Sequence, residues 1–440
     1  MKCAGGCITS GRWTATIMLA LGLGIGLSAH ATDGTELIGI GALQKGTGGA
    51  GVASPQDMTW VLLNPASIID LGCRLDVNFE LFMPYRTLKP RGLFGSNTEE
   101  SYDDNIFYIP SLGYSKACGC GDWAWGIGLY GVSGMGVEYR DSRTILPKLT
   151  LQNYDRRTRY SVATLGFGYA RDLGDGWTIG ISPRLNFSMF ATDMLTLKFR
   201  QVEAENGIDT AYGAGFSLGF YKRWQRFGIG LNYTSRQWMT EYRKYGDLFF
   251  ESMDLPQNIQ TGIAFDITPR LEWVLDYKWI NWSGIDQMAR DPIKGGFGWK
   301  DQHIIKSGLT WYATPKWTFR GGVSIALDAP IREEYVFANA LFPAVVKHHV
   351  SLGVSRVIND KSDVHLTVMH AFNNTLEDNG RGDLFSVLGK GTEISLRETT
   401  LTFEYSYKFE MGGCARRRQE LQELQELQEQ YEKNRGEGRF

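Results

Sequence analysis

From residue 73 onward the chain is a succession of segments in which apolar and polar residues alternate. The clearest is Leu401-Thr-Phe-Glu-Tyr-Ser-Tyr-Lys-Phe409. Its odd positions are apolar or aromatic, and its even positions are Thr402, Glu404, Ser406 and Lys408. Side chains on a β-strand point to opposite faces in turn, so this strand has one greasy face and one wet face. Leu75, Val77, Phe79, Leu81 and Met83 alternate with Arg74, Asp76, Asn78 and Glu80 in the same way, and residues 271–279 repeat the pattern. A half-buried soluble sheet also alternates. Recurrence to the end of the chain in segments of about ten residues is what strands tilted across a bilayer require. Composition agrees: glycine makes up 53 of 440 residues and aromatics 13%, where soluble proteins average about 7% glycine. The net charge of −2 gives no case for nucleic acid. The fold class is therefore all-β, a transmembrane antiparallel β-barrel.

Fourteen strands are expected, at 73–83, 106–117, 123–135, 157–171, 177–190, 211–223, 226–240, 258–268, 270–282, 302–313, 316–327, 347–358, 362–373 and 398–410. Short links alternate with long polar ones. Outer-membrane barrels have short periplasmic turns and long outer loops, so an even count puts both barrel ends in the periplasm.

The N-terminus reads as an export signal. Lys2 and Arg12 precede an apolar run over 17–27, and Ser28-Ala29-His30-Ala31 supplies a small-x-small cleavage pattern after Ala31. The run is far short of the ~20 residues of a spanning helix. The organisation is then a signal at 1–31, a luminal segment at 32–72, the barrel at 73–410 and a charged periplasmic tail at 411–440. Tail residues Leu421, Leu424 and Leu427 recur every three positions and drift off one helical face, unlike a heptad seam. A periplasmic partner for the tail is unknown.

Residues 32–72 do not alternate. Gly46-Thr-Gly48-Gly49-Ala-Gly-Val-Ala53 is followed by Asn64-Pro65-Ala66. A phosphate loop would need Gly-Lys-Ser/Thr after the glycines, and none follows. The residues suit a compact segment packed where side chains do not fit, able to plug the lumen that a barrel of this size leaves.

Those motifs resemble the N-terminal hatch of the FadL-type outer-membrane transporters of long-chain fatty acids and their toluene-uptake relatives. The resemblance continues in Asp276-Tyr277 with Asn281-Trp282-Ser283, in Arg320-Gly-Gly-Val-Ser324 with Ala329-Pro330, and in Leu341-Phe-Pro343-Ala. It implies a fourteen-stranded monomeric barrel closed by a hatch at Gly46, Gly48, Gly49, Asn64, Pro65 and Ala66. Hydrophobic ligand would be captured at outer loops, enter the lumen, and leave sideways through a gap at a kinked third strand. Gly131, Gly134 and Gly136 are the candidates for that kink, since glycine within a strand marks a bulge or bend.

Leu248, Phe249, Phe250 and Met253 form an apolar cluster in an outer loop and are candidates for ligand capture. The stretch 335–342 is a second such loop. Alternation points Arg184, Lys278 and Arg320 inward, where a fatty-acid carboxylate would want a cation; inward carboxylates Glu272, Asp276 and Glu404 are the competing partners. Cys73, Cys118, Cys120 and Cys414 all fall at the periplasmic rim and are candidates for one or two disulfides in any of three pairings, since exported proteins meet an oxidising compartment. A four-thiolate metal site is the other reading of these cysteines. No cofactor or metal is expected. His365 and His370 face opposite sides of one strand, and His348-His349 has no evident acidic neighbour, so an enzyme is disfavoured. The expected partners are a hydrophobic small molecule and outer-membrane lipid. A general diffusion pore and a structural or adhesive barrel are the alternatives.

Overall fold

The computed structural model describes residues 33–92, 101–118, 122–142, 154–192, 207–246, 248–249 and 251–409. The signal, the tail, Phe250, Cys120 and Cys414 lie outside the described residues, as does the side chain of Cys118.

Fourteen long antiparallel strands close into one barrel. They are β1 (Arg74–Lys89), β2 (Phe107–Cys118), β3 (Trp123–Ser142), β4 (Tyr154–Gly174), β5 (Trp177–Thr192), β6 (Asp209–Arg223), β7 (Phe227–Thr234), β8 (Asn258–Thr268), β9 (Leu271–Ile280), β10 (Gln302–Thr314), β11 (Trp317–Ala326), β12 (His348–Asn359), β13 (Ser362–Glu377) and β14 (Glu393–Lys408). Two short strands, Ser101–Asp103 and Trp238–Met239, pair with β1 and β6. Each long strand pairs with its chain neighbours, and β1 closes the wall against β14 from Arg74↔Lys408 to Lys89↔Glu393. Among the described residues no helix is long and apolar enough to cross a membrane; the crossing is made by strands.

Alternation sets the two faces as read from sequence. On β14, Thr402, Glu404 and Ser406 are fully buried toward the lumen while Phe403 and Tyr405 are exposed. The outward aromatics form the girdles of a barrel in lipid. The strands overrun their expected ends at the long-loop rim: β1 continues to Lys89, β3 to Ser142 and β13 to Glu377. Above the bilayer the outer face has no need to stay apolar, so the ladder persists where alternation fades. β7 is instead shorter, ending at Thr234. The tight turn at 172–176 shows how local residues choose the connection. The Asp172 carboxylate accepts the Gly174 N–H at 2.8 Å, and Gly174, Asp175 and Gly176 take positive φ.

Residues 33–72 lie inside the barrel. They form α1 (Gly41–Gly46), α2 (Trp60–Leu63) and a 3-10 turn at Pro65–Leu71. Leu43, Met58, Trp60, Val61 and Ile68 pack on Tyr130, Ala124 and Ala170 of the wall. The inward carboxylates grip the segment's backbone. Asp276 accepts the N–H groups of Gly51 and Val52, each at 2.9 Å, Glu404 accepts that of Ala42 at 3.0 Å, and Asp76 that of Met58 at 2.8 Å. Lys45 pairs with Glu80 at 2.5 Å.

The sequence motifs acquire physical reasons here. Gly48 and Gly49 sit at φ +70 and +80, and a Cβ on Gly49 would lie 2.0 Å from the Ile38 carbonyl oxygen. Only glycine tolerates both the left-handed backbone and that approach. Asn64 accepts the Ala66 N–H at 3.2 Å and donates to the carbonyls of Val52 (2.8 Å) and Phe220 (3.1 Å), so it caps the turn begun by Pro65 and ties it to the wall.

Candidate functional site

The wall lapses at one place between β2 and β3. Their ladder runs from Cys118↔Trp123 to Leu112↔Leu129 and stops. Yet β2 stays paired with β1 out to Phe107, and β3 stays paired with β4 out to Ser142. The free edge of β3 begins at a bulge between Gly131 and Ser133. Ile109 of β2 fills the space that a Gly131 side chain would take: a Cβ there would lie 2.7 Å from Ile109 Cγ2. Gly134 and Gly136 each use their backbone: the Gly134 N–H donates to the Thr35 carbonyl at 2.9 Å, and the Gly136 carbonyl accepts from Arg86 at 2.8 Å. Arg86 also pairs with Asp103, whose carboxylate accepts the Glu138 N–H at 2.6 Å, so the lapse is stitched again above.

The luminal segment covers this lapse from within. The Leu37 N–H donates to the Val132 carbonyl at 3.1 Å and Ser133 Oγ to Thr35 Oγ1 at 2.9 Å. Leu37 packs with Phe82, Ile109 and Phe107. Charge holds the cover in place. Lys278 pairs with Glu36 at 2.7 Å and Asp33 at 3.4 Å, and Lys306 pairs with Asp33 at 3.0 Å. Burial alone would raise the Asp33 pKa, but Lys306 and Lys278 outweigh it and hold the carboxyl below the usual range.

Behind the cover lies a luminal cavity of about 100 Å³, lined by Glu36, Leu37, Val132, Arg184, Lys278 and Lys306 among others. Arg184 donates to the Leu62 carbonyl at 2.6 Å, has no ion pair among the described residues, and keeps its Nε buried without a partner. Arg184 and Lys278, both expected to point inward, line this one cavity. Lys306 was missed, although its even position beside outward Ile305 signalled it; Asp33 and Glu36 carried no signal. Arg320 does not join them. It lies in a separate cavity of about 520 Å³ that opens at the short-turn rim, held by Gln56 at 2.9 Å and Ser355 at 2.5 Å.

Toward the long-loop rim the lumen is capped by an aromatic cluster. Phe249 and Met253 are buried in it and Leu248 packs at its edge, so these residues are not the exposed patch expected of an outer loop. Three long loops converge there. Phe249 meets Phe190 at 4.9 Å, Phe297 stacks on Phe342 at 5.1 Å, and Trp282 meets Trp299 at 5.0 Å. The second loop, with Val336, Leu341 and Phe342, is buried in the same cluster. Among the described residues no group of His, Cys, Asp and Glu could hold a metal ion. Cys73 is buried at the start of β1, and its carbonyl accepts the Phe409 N–H at 2.9 Å, which brings the exit of the chain beside it.

A closed barrel with a greasy exterior, a filled lumen and a chamber beside a gap in its wall is a membrane transport protein. The description "Outer membrane protein transport protein (OMPP1/FadL/TodX)" matches residues 41–409, and the chain belongs to that family. It resides in the bacterial outer membrane, and its family consists of transport proteins rather than enzymes. In such barrels the short turns face the periplasm. The Pseudomonas putida toluene transporter TodX has the same fold, with TM-score 0.68 and 15% identity, over 84% of this chain and 99% of that one. A Pseudomonas aeruginosa FadL homologue gives TM-score 0.63 and 13% identity over 85% and 99%, and the Ralstonia pickettii toluene transporter TbuX gives 0.61 and 16% over 85% and 99%. None of the curated protein sequences matches it.

Proposed function

We propose that this protein takes up hydrophobic small molecules passively, as a monomer. Long-chain fatty acids and aromatic hydrocarbons are the substrate classes, as the family resemblance and the named transporters suggest. Ligand enters through the aromatic cap, occupies the luminal cavity, and leaves sideways between β2 and β3 when the hatch segment releases the free edge of β3. The observation that carries this reading is the lapse in the β2–β3 ladder, covered by Thr35, Glu36 and Leu37 next to the cavity. Arg184 is the group suited to a carboxylate head, because it faces the cavity with hydrogen-bonding capacity unspent. The buried luminal segment favours gated passage over a general diffusion pore. Leu37→Cys with Val132→Cys provides the test. Oxidation should stop uptake and reductant should restore it. Uptake that continues at the full rate with the crosslink formed would send the route elsewhere.

A further inference from the structure

The outward face of the periplasmic rim carries cations that the transport route does not use. Lys222, near the end of β6, lies directly opposite Trp177 of β5. Its Nζ stands 4.8 Å from the Trp177 ring centroid and 4.9 Å from that of Trp224. The two indoles meet edge-on at 6.4 Å, and both are about two-fifths exposed, at 41% and 43%. Lys222 shares its side of the sheet with exposed Leu218 and Phe220, so the clamp faces lipid, not the lumen. Nearby, Arg226 lies 5.6 Å from the Phe265 centroid, and further round the barrel Arg356 lies 5.2 Å from that of Trp317. All three sit at short turns. None of the three forms an ion pair among the described residues.

Physical chemistry limits what completes such sites. Indole rings settle at the headgroup level of a bilayer, where an apolar body and a polar N–H are both satisfied. A cation on an aromatic face there is held in place, not free to snorkel away into bulk water. It keeps N–H donors directed at the interface, and with no carboxylate to accept them the acceptor available at that depth is a lipid phosphate. Of the three, Lys222 is the best fixed, because two rings confine it.

We propose that Trp177, Lys222 and Trp224 form a seat for the headgroup phosphate of an anionic phospholipid in the periplasmic leaflet. Arg356 repeats the arrangement more weakly with one ring, whereas Arg226 spends its Nε and Nη2 donors on the carbonyls of Asp266 and Ile267. This requires only that the barrel is in the outer membrane and is independent of the transport route.

The test is native mass spectrometry of the full chain in detergent, titrated with phosphatidylglycerol, phosphatidylcholine or inorganic phosphate. Phosphatidylglycerol should be retained about tenfold more tightly than phosphatidylcholine, the preference expected of one added charge-assisted contact. Lys222→Gln should abolish that preference and Lys222→Arg should keep it. Equal retention of the two lipids, or a preference that survives Lys222→Gln, would mean ordinary annular lipid and overturn the seat. Displacement of phosphatidylglycerol by equimolar inorganic phosphate would also overturn it, since a free-anion site needs no lipid.

Discussion

Asp276→Ala should free the hatch from the wall without unfolding the barrel. In the native protein one Asp276 oxygen accepts the Gly51 and Val52 N–H groups at 2.9 Å and Gln260 Nε2 at 2.8 Å. Alanine leaves both backbone donors buried and unpaired. Each such orphan costs about 1–3 kcal/mol, so hatch docking should lose about 2–6 kcal/mol. At about 1.4 kcal/mol per factor of ten, that is roughly a thirtyfold to twenty-thousandfold rise in the undocked population. The β9 ladder to β8 and β10 is untouched by a side-chain truncation. Hydrogen exchange in detergent separates the two events. Amides at 48–54 should exchange faster by that factor, while those of Leu271–Ile280 stay protected. Asp276→Asn keeps an acceptor and should give a smaller effect. Two results would refute the reasoning: unchanged protection at 48–54, which would mean the carboxylate does not hold the segment, or parallel opening of β9, which would mean segment and wall do not separate.

Arg184→Gln should weaken binding of a long-chain carboxylate about tenfold or more and leave a neutral aromatic unchanged, measured by calorimetry with both ligands; equal losses would remove Arg184 from head-group recognition. Asp57 of the hatch is pushed up to about 6 by burial and by the neighbouring Asp76. A folded-state pKa above the unfolded value stabilises below the unfolded pKa and ceases to do so as pH rises through the folded one. Asp57→Asn should therefore strengthen hatch docking at pH 8 but not at pH 4, read by the same exchange measurement; an equal effect at both would contradict the assignment. The cysteine pairing we propose at the periplasmic rim predicts fewer than four free thiols in unreduced, processed protein, and a count of four would exclude it.

How much of this was legible in the sequence depends on the range of the interaction. Alternation is local, so it determined the barrel, the strand count and which side of each strand meets water. Glu404 and Phe403 fall on opposite faces because they are neighbours. The glycines of the luminal segment were legible for the same reason: Gly48 and Gly49 are needed for their own backbone angles. The glycines of β3 fall where its ladder to β2 stops. Where that ladder stops is a choice of partners, β2 remaining with β1 while β3 remains with β4, and no local pattern encodes that choice. The cover over the gap joins Asp33 and Glu36 to Lys278 and Lys306, more than two hundred residues away along the chain. Phe249 and Met253 looked exposed because their burial depends on two other long loops arriving above the lumen. Arg320 pointed inward as alternation required, but which side of the luminal segment it reached was set by where that segment packs. Side-chain direction is thus written residue by residue, whereas the chamber and the cover beside it exist only once distant segments meet.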